Sequence, residues 1–143
     1  MPADPREELH LEMTGGAPAV RHALEQTMAD RILTGLSDSL RQNTEIVLAE
    51  VLNNIVEHAY HSSEGEIRVL LRLEPSQLCL TVEDEGAEMP GGNLPEGHLP
   101  EPESLPEGGF GWFLIRNLVR DLAYRRIAAC NHLSFFLPLP TDQ

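Results

Sequence analysis

Glu50, Asn54 and His58 stand at i, i+4 and i+8 within the run from Glu45 to Tyr60. At about 100° per residue this spacing draws the three side chains along one line of a helix, bordering an apolar face made by Val47, Leu48, Val51, Leu52, Ile55, Val56 and Ala59. A carboxylate held one turn from a carboxamide is a base next to a hard oxygen ligand. Such a pair can activate a hydroxyl and hold Mg²⁺, provided a nucleotide is brought to it. His58 has no second histidine or cysteine at ligand spacing on the same helix, so it reads as a hydrogen-bonding residue of the site and not as a metal ligand.

Composition limits what that site can be. The chain has 143 residues, 41% of them hydrophobic and 23% charged, which suits one globular domain with a substantial core. Its net charge of −13 argues against nucleic-acid or anionic-membrane partners, because either would need a basic face. No run of about 18 apolar residues occurs, and the start lacks the basic-then-apolar layout of a signal peptide, so a cytoplasmic protein is expected. Cys79 and Cys130 form neither a metal nor a redox spacing and read as reduced thiols. All ten basic residues are arginine. Without lysine there can be no Walker A loop, no Schiff base and no kinase lysine of the eukaryotic type, so any nucleotide site follows another design.

The elements that must position the pair can be read in order. Leu9 to Met13 alternates as a short edge strand, closed by Gly15-Gly16. Pro18 suits the first turn of a helix, and Val20, Leu24, Met28 and Ile32 recur at helical spacing as far as Gly35. Ser39-Leu40-Arg41-Gln42 has the form of a capping box, so a second helix is expected from near residue 40 to Tyr60. Ile67, Val69, Leu71 and Leu73, then Leu78, Leu80 and Val82, alternate around a turn as two antiparallel strands. A long loop follows, residues 87–108, interrupted by Pro90, Pro95, Pro100, Pro102 and Pro106. Gly108 to Gly111 opens a third helix expected to run to about Ala123, and Asn131 to Leu137 forms a last strand.

Two further pieces join the helix pair. Asp84 at a strand end can accept a hydrogen bond from an exocyclic amine such as that of adenine, and Gly86 beside it allows close approach to the backbone. The glycine-rich turn before the third helix turns backbone N–H groups and the positive end of a helix dipole toward an anion. Glu50 to Tyr60 follows the pattern E-x-x-x-N-x-x-x-H-A-Y almost throughout, Val82 to Gly86 looks like a first glycine box, and Gly108 to Ile115 like a second. In this order they resemble the GHKL ATPase superfamily, which includes gyrase-type ATPases and histidine kinases, and within it the short anti-sigma-factor serine kinases of bacterial partner-switching systems. The resemblance runs from about Leu9 to Leu139, between a tail of residues 1–8 and a short tail of residues 140–143.

The resemblance implies an α/β sandwich (α+β) of the GHKL (Bergerat) type, a mixed and mostly antiparallel sheet with helices on one face. It implies ATP and Mg²⁺ as cofactors, Glu50 as general base toward a protein serine, and Asn54 as the Mg²⁺ ligand. His58, Asp84, Gly86, Gly109, Phe110, Gly111 and Trp112 would line the nucleotide site beneath a lid of residues 87–108. A STAS-type anti-anti-sigma protein would be the substrate, a sigma factor or similar regulator the sequestered partner, and the protein a homodimer. Each residue also has a plainer reading: Glu50 as a solvated helix charge, Asn54 as a local hydrogen-bonder, Asp84 as a turn cap, Trp112 as a packing residue. The glycine box departs from the family pattern at Glu88, and no arginine lies between Leu73 and Ile115. Phosphoryl transfer relies on cations, so a switch module that binds nucleotide or partners without chemistry is the alternative.

Overall fold

The computed structural model describes residues 7–61, 64–95 and 110–140. Five strands form one sheet in the order β1-β2-β3-β5-β4: β1 Glu8–Thr14, β2 Glu66–Leu73, β3 Gln77–Asp84, β4 Arg120–Ile127 and β5 Cys130–Pro138. All four pairings are antiparallel. The helices are α1 Ala17–Ala29, α2 Arg31–Thr34, α3 Asp38–Asn54 and α4 Phe110–Leu118.

Period-two alternation decides which face is covered. Leu11 and Met13, Ile67, Val69 and Leu71, Leu78, Leu80 and Val82, and Leu133, Phe135 and Leu137 all turn to the same side and are buried. The apolar faces of α1 (Val20, Ala23), α3 (Leu40, Val47, Leu48, Val51, Leu52) and α4 (Trp112, Ile115) join them in a single core. The fully buried Leu48 and Leu52 anchor α3, and truncating either to alanine would cost about 2–5 kcal/mol. Thr27 and Thr44, buried on the helices, donate to the carbonyls of Ala23 and Leu40, each at 2.8 Å, so neither hydroxyl is left unpaired in the core. On the opposite face Arg68, Arg72, Glu83 and His132 are half-buried; Arg68 pairs with Glu83 and Arg72 with Glu8, each at 3.3 Å, and His132 Nδ1 lies 3.3 Å from Glu83. Among the described residues no helix is long and apolar enough to cross a membrane. Both cysteines are free, and burial pushes the Cys79 thiol up to about 12.

Several boundaries differ from the sequence expectation. The first helical run breaks at Asp30, whose extended backbone (ψ 149) and side chain, accepting from Ile32 N–H at 2.9 Å, cap a new turn. The cap of α3 is Ser37, accepting from Leu40 N–H at 3.2 Å, and Ser39 lies inside the helix. The third helix stops at Leu118, and the segment expected to continue it is strand β4. Leu118, Val119 and Leu122 imitate helical spacing because the register shifts at a bulge between Arg120 and Ala123, with Asp121 at φ 54, and the alternation of half-buried Leu122, Tyr124 and Arg126 with exposed neighbours begins only there. Ala128 and Ala129, at φ 50 and 65, close the β4–β5 hairpin in a left-handed two-residue turn without the usual asparagine or glycine.

Candidate functional site

The C-terminal end of α3 builds one wall. After Asn54 the helix widens into a π turn over Ile55–Ala59, closed by Tyr60 N–H donating to Ile55 C=O at 3.0 Å. Widening brings the Ala59 carbonyl out to accept from Ala87 N–H at 2.8 Å. Gly86 is required there, because a Cβ would come to 2.6 Å from that carbonyl oxygen. Tyr60 O–H donates to Glu66 C=O at 2.6 Å and accepts from Glu85 N–H at 2.7 Å, while its ring lies where a side chain at Gly65 would stand. The helix end and the end of β3 are therefore fastened together.

A cavity of about 390 Å³ opens between them. Val51, Ile55, Met89, Trp112 and Leu133 supply apolar wall, and Asn54, His58, Asp84 and Asn131 supply polar groups. Both its size and its mostly apolar lining with a few converging polar atoms suit a small organic ligand. Asp84 is only 3% exposed. Its Oδ1 accepts from Gly86 N–H and from Asn131 Nδ2, both at 2.8 Å, whereas Oδ2 takes no hydrogen bond among the described residues. Burial pushes the Asp84 carboxyl above the ordinary aspartate value, opposed by those hydrogen bonds and by the charges of Arg126 and Arg68. Asn54 donates through Nδ2 to the Glu50 carbonyl at 2.8 Å, and its Oδ1 has no hydrogen bond among the described residues. An amide oxygen with nothing else to bind fits a cation that takes most of its ligands from phosphate and water, as Mg²⁺ does.

Glu50 is half-buried and does not line the cavity; its carboxylate lies against Gly111 at the head of α4, where a Cβ would run into Oε2 and would stand 3.6 Å from Asn54 Nδ2. Gly111 thus lets the N-terminus of α4 close onto the Glu50–Asn54 pair, and a carboxylate there is favoured by the helix dipole. Trp112 is buried and on the cavity wall. The His58 side chain is 68% exposed at the rim, 3.9 Å from Glu57. Gly109, the side chain of Phe110, and residues 96–108 of the expected lid lie outside the described residues. Sequence reading missed Tyr124 and Asn131. The signal was there for one of them: Asn131 falls on the inward register of Leu133, Phe135 and Leu137, where a polar side chain must have a partner.

A histidine kinase-like ATPase domain model matches residues 14–137. The chain belongs to that family. It is similar to the serine-protein kinase RsbW of Bacillus cereus (strain AH187), 33% identical over 94 residues that cover 62% of this chain and 59% of the relative. RsbW of Bacillus thuringiensis (strain Al Hakam) is 34% identical over 86 residues, 57% of this chain and 54% of the relative. The chain thus spans little more than half the length of these curated relatives. In fold it is similar to the mycobacterial sensor histidine kinase MprB, with a TM-score of 0.51 at 17% identity over 94% of this chain and all of the other. The five-stranded antiparallel sheet with helices on one face is the fold expected of this family.

Proposed function

We propose that the protein is an ATP-dependent serine kinase and anti-sigma factor of a partner-switching system. The observation that carries this reading is a cavity lined by a carboxylate (Asp84) and an amide (Asn54) that each keep an oxygen without a hydrogen bond among the described residues, beside a helix head that abuts a carboxylate (Gly111 against Glu50). Adenine would place its exocyclic amine on Asp84 Oδ2, with Ile55, Met89 and Leu133 around the ring. The phosphates would lie toward Asn54 and the head of α4. Mg²⁺ held by Asn54 would neutralise phosphate charge, and Glu50 would accept the proton of the attacking serine hydroxyl. The serine-protein kinase relatives make a protein substrate the natural acceptor, here a STAS-type anti-anti-sigma protein, with a sigma factor or similar regulator as the alternate partner and a homodimer as the working form.

Incubation with Mg-ATP and a cognate STAS-type protein should yield phosphoserine, and Glu50→Gln should lower the rate at least about a hundredfold while leaving ADP affinity within about twofold. Absence of phosphorylation by the wild type sinks the enzyme reading. One observation favours the second reading, a switch without chemistry: the Glu50 carboxylate is lodged at the helix head and not on the cavity wall. ADP binding without transfer, and partner binding indifferent to Glu50→Gln, would decide for it.

A further inference from the structure

Sheet register brings three polar side chains to the inner face at the cavity end. Asp84 pairs with Asn131 across β3 and β5, and Asn131 pairs with Arg126 across β5 and β4. One row nearer the middle of the sheet, Tyr124 stands opposite Leu133. These residues connect the proposed base-recognition carboxylate to the root of the following loop. Asn131 Nδ2 donates to Asp84 Oδ1 at 2.8 Å and to Ala87 C=O at 2.9 Å. Its Oδ1 accepts from Tyr124 O–H at 2.5 Å and from Arg126 Nη1 at 3.1 Å. The Tyr124 hydroxyl in turn accepts from Met89 N–H at 3.0 Å, and Arg126 Nη1 donates to Gly86 C=O at 2.6 Å. Both ends of the Asn131 amide are thus satisfied, and a buried network in that condition has one low-energy arrangement.

We propose that Asn131 is a positioning residue for nucleotide recognition: it fixes Asp84 with Oδ2 left free for the ligand and, through Tyr124, pins residues 86–89 at the root of the loop that follows β3. This rests on the nucleotide reading above. The two functions follow from the two ends of one amide. Its donor end holds a carboxylate oxygen and a loop carbonyl together, and its acceptor end orders the tyrosine that secures the next loop amide. The Asn131 bond also favours the charged form of Asp84, and the carboxylate is the form able to accept from an amine. The other charged or titratable groups around that carboxyl are Arg126 and Tyr124 on β4, Tyr60 and Glu85 at the strand end, and His58, His61 and Glu88 around the cavity, with Arg68 on β2 acting from the opposite face of the sheet. All but Tyr124, which one variant replaces, are common to the wild type and the variants.

The test has two readouts in Asn131→Ala and Tyr124→Phe: ADP titration followed by fluorescence of Trp112, the sole tryptophan, between pH 5 and 8, and amide hydrogen exchange of the free protein. ADP binding should weaken about tenfold in Asn131→Ala at pH 7.5, the loss expected for one hydrogen bond to a charged group. Acidification weakens wild-type binding as Asp84 gains its proton; without the Asn131 bond that proton is taken up at higher pH, so the fall-off should move upward. Tyr124→Phe should leave the fall-off where it is and raise exchange at Met89. In Asn131→Ala exchange should rise at Ala87 and Met89. An unshifted fall-off in Asn131→Ala, or Ala87 and Met89 amides that exchange as in the wild type in both variants, overturns the proposal. Should wild-type protein bind no ADP at any pH, the nucleotide reading falls, and unchanged exchange would still overturn the pinned loop root on its own.

Discussion

Two glycines at the site have opposite reasons to be glycine, and substitution separates them. A methyl group at Gly86 would meet the backbone of Ala59, which the π turn and the Ala87 hydrogen bond hold in place. Gly86→Ala should therefore destabilise the fold by about 1–3 kcal/mol, lowering Tm by roughly 3–10 °C in thermal unfolding. At Gly111 the obstruction is the far end of the Glu50 side chain, which can swing aside. Gly111→Ala should leave Tm unchanged or slightly raised, since alanine favours a helix, yet it should reduce phosphoserine formation at least about tenfold by displacing the proposed base. Equal Tm losses in the two variants would mean the Gly111 contact is structural. At this scale helical spacing was informative about placement: Asn54 and His58 do line the cavity, while Glu50 lies against Gly111. The sequence was silent on why Gly86 must be small: the atom it avoids lies 27 positions back along the chain, and no local pattern reports such a contact.

Elements were legible where one periodicity was strong. The β2–β3 hairpin and the core face of α3 came directly from alternation and helical spacing. The boundaries failed where two signals competed. Ser37 and Ser39 both precede the apolar run, and Ser39 has a glutamine three residues later, which made it look like the cap. The backbone chose Ser37, extended at ψ 155, because starting there adds Asp38 to the first turn, where its charge meets the helix dipole favourably. Ser37→Ala should then cost about 1 kcal/mol and a few degrees of Tm, whereas Ser39→Ala should change neither measurably. The reverse order in melting curves would restore the sequence reading. Strand β4 was missed for a related reason. Its bulge shifts the register at the start of the strand, its inward row of Leu122, Tyr124 and Arg126 is only half-buried and ends in a charge, and its Ala128-Ala129 turn lacks the residues by which a hairpin is normally read.

Over the whole molecule the charge problem raised by the sequence takes a definite form. Between Leu73 and Ile115 the chain has no arginine, and two arginines from later in the chain are attached to the loop that follows β3. Arg126 donates to Gly86 C=O at its root, and Arg116, on α4, donates through Nε to Pro95 C=O at 2.9 Å. Arg116 lies six residues beyond the start of α4, about 9 Å along the axis from the head where phosphates would bind, and the contact its guanidinium makes is with the loop. On the proposed function the charge of a transferring phosphoryl group would then fall to the α4 N–H groups and the divalent cation. Arg116→Ala should accordingly speed ADP dissociation, by about fivefold for one lost exposed hydrogen bond, and leave the rate of transfer at saturating Mg-ATP unchanged in single-turnover measurements. A fall in the saturating rate with normal ADP release would give the opposite assignment, making Arg116 the cation that stabilises the transition state. In that case the loop contact to Pro95 serves to aim the guanidinium, and a lysine-free site would have recovered its missing charge from the far side of α4.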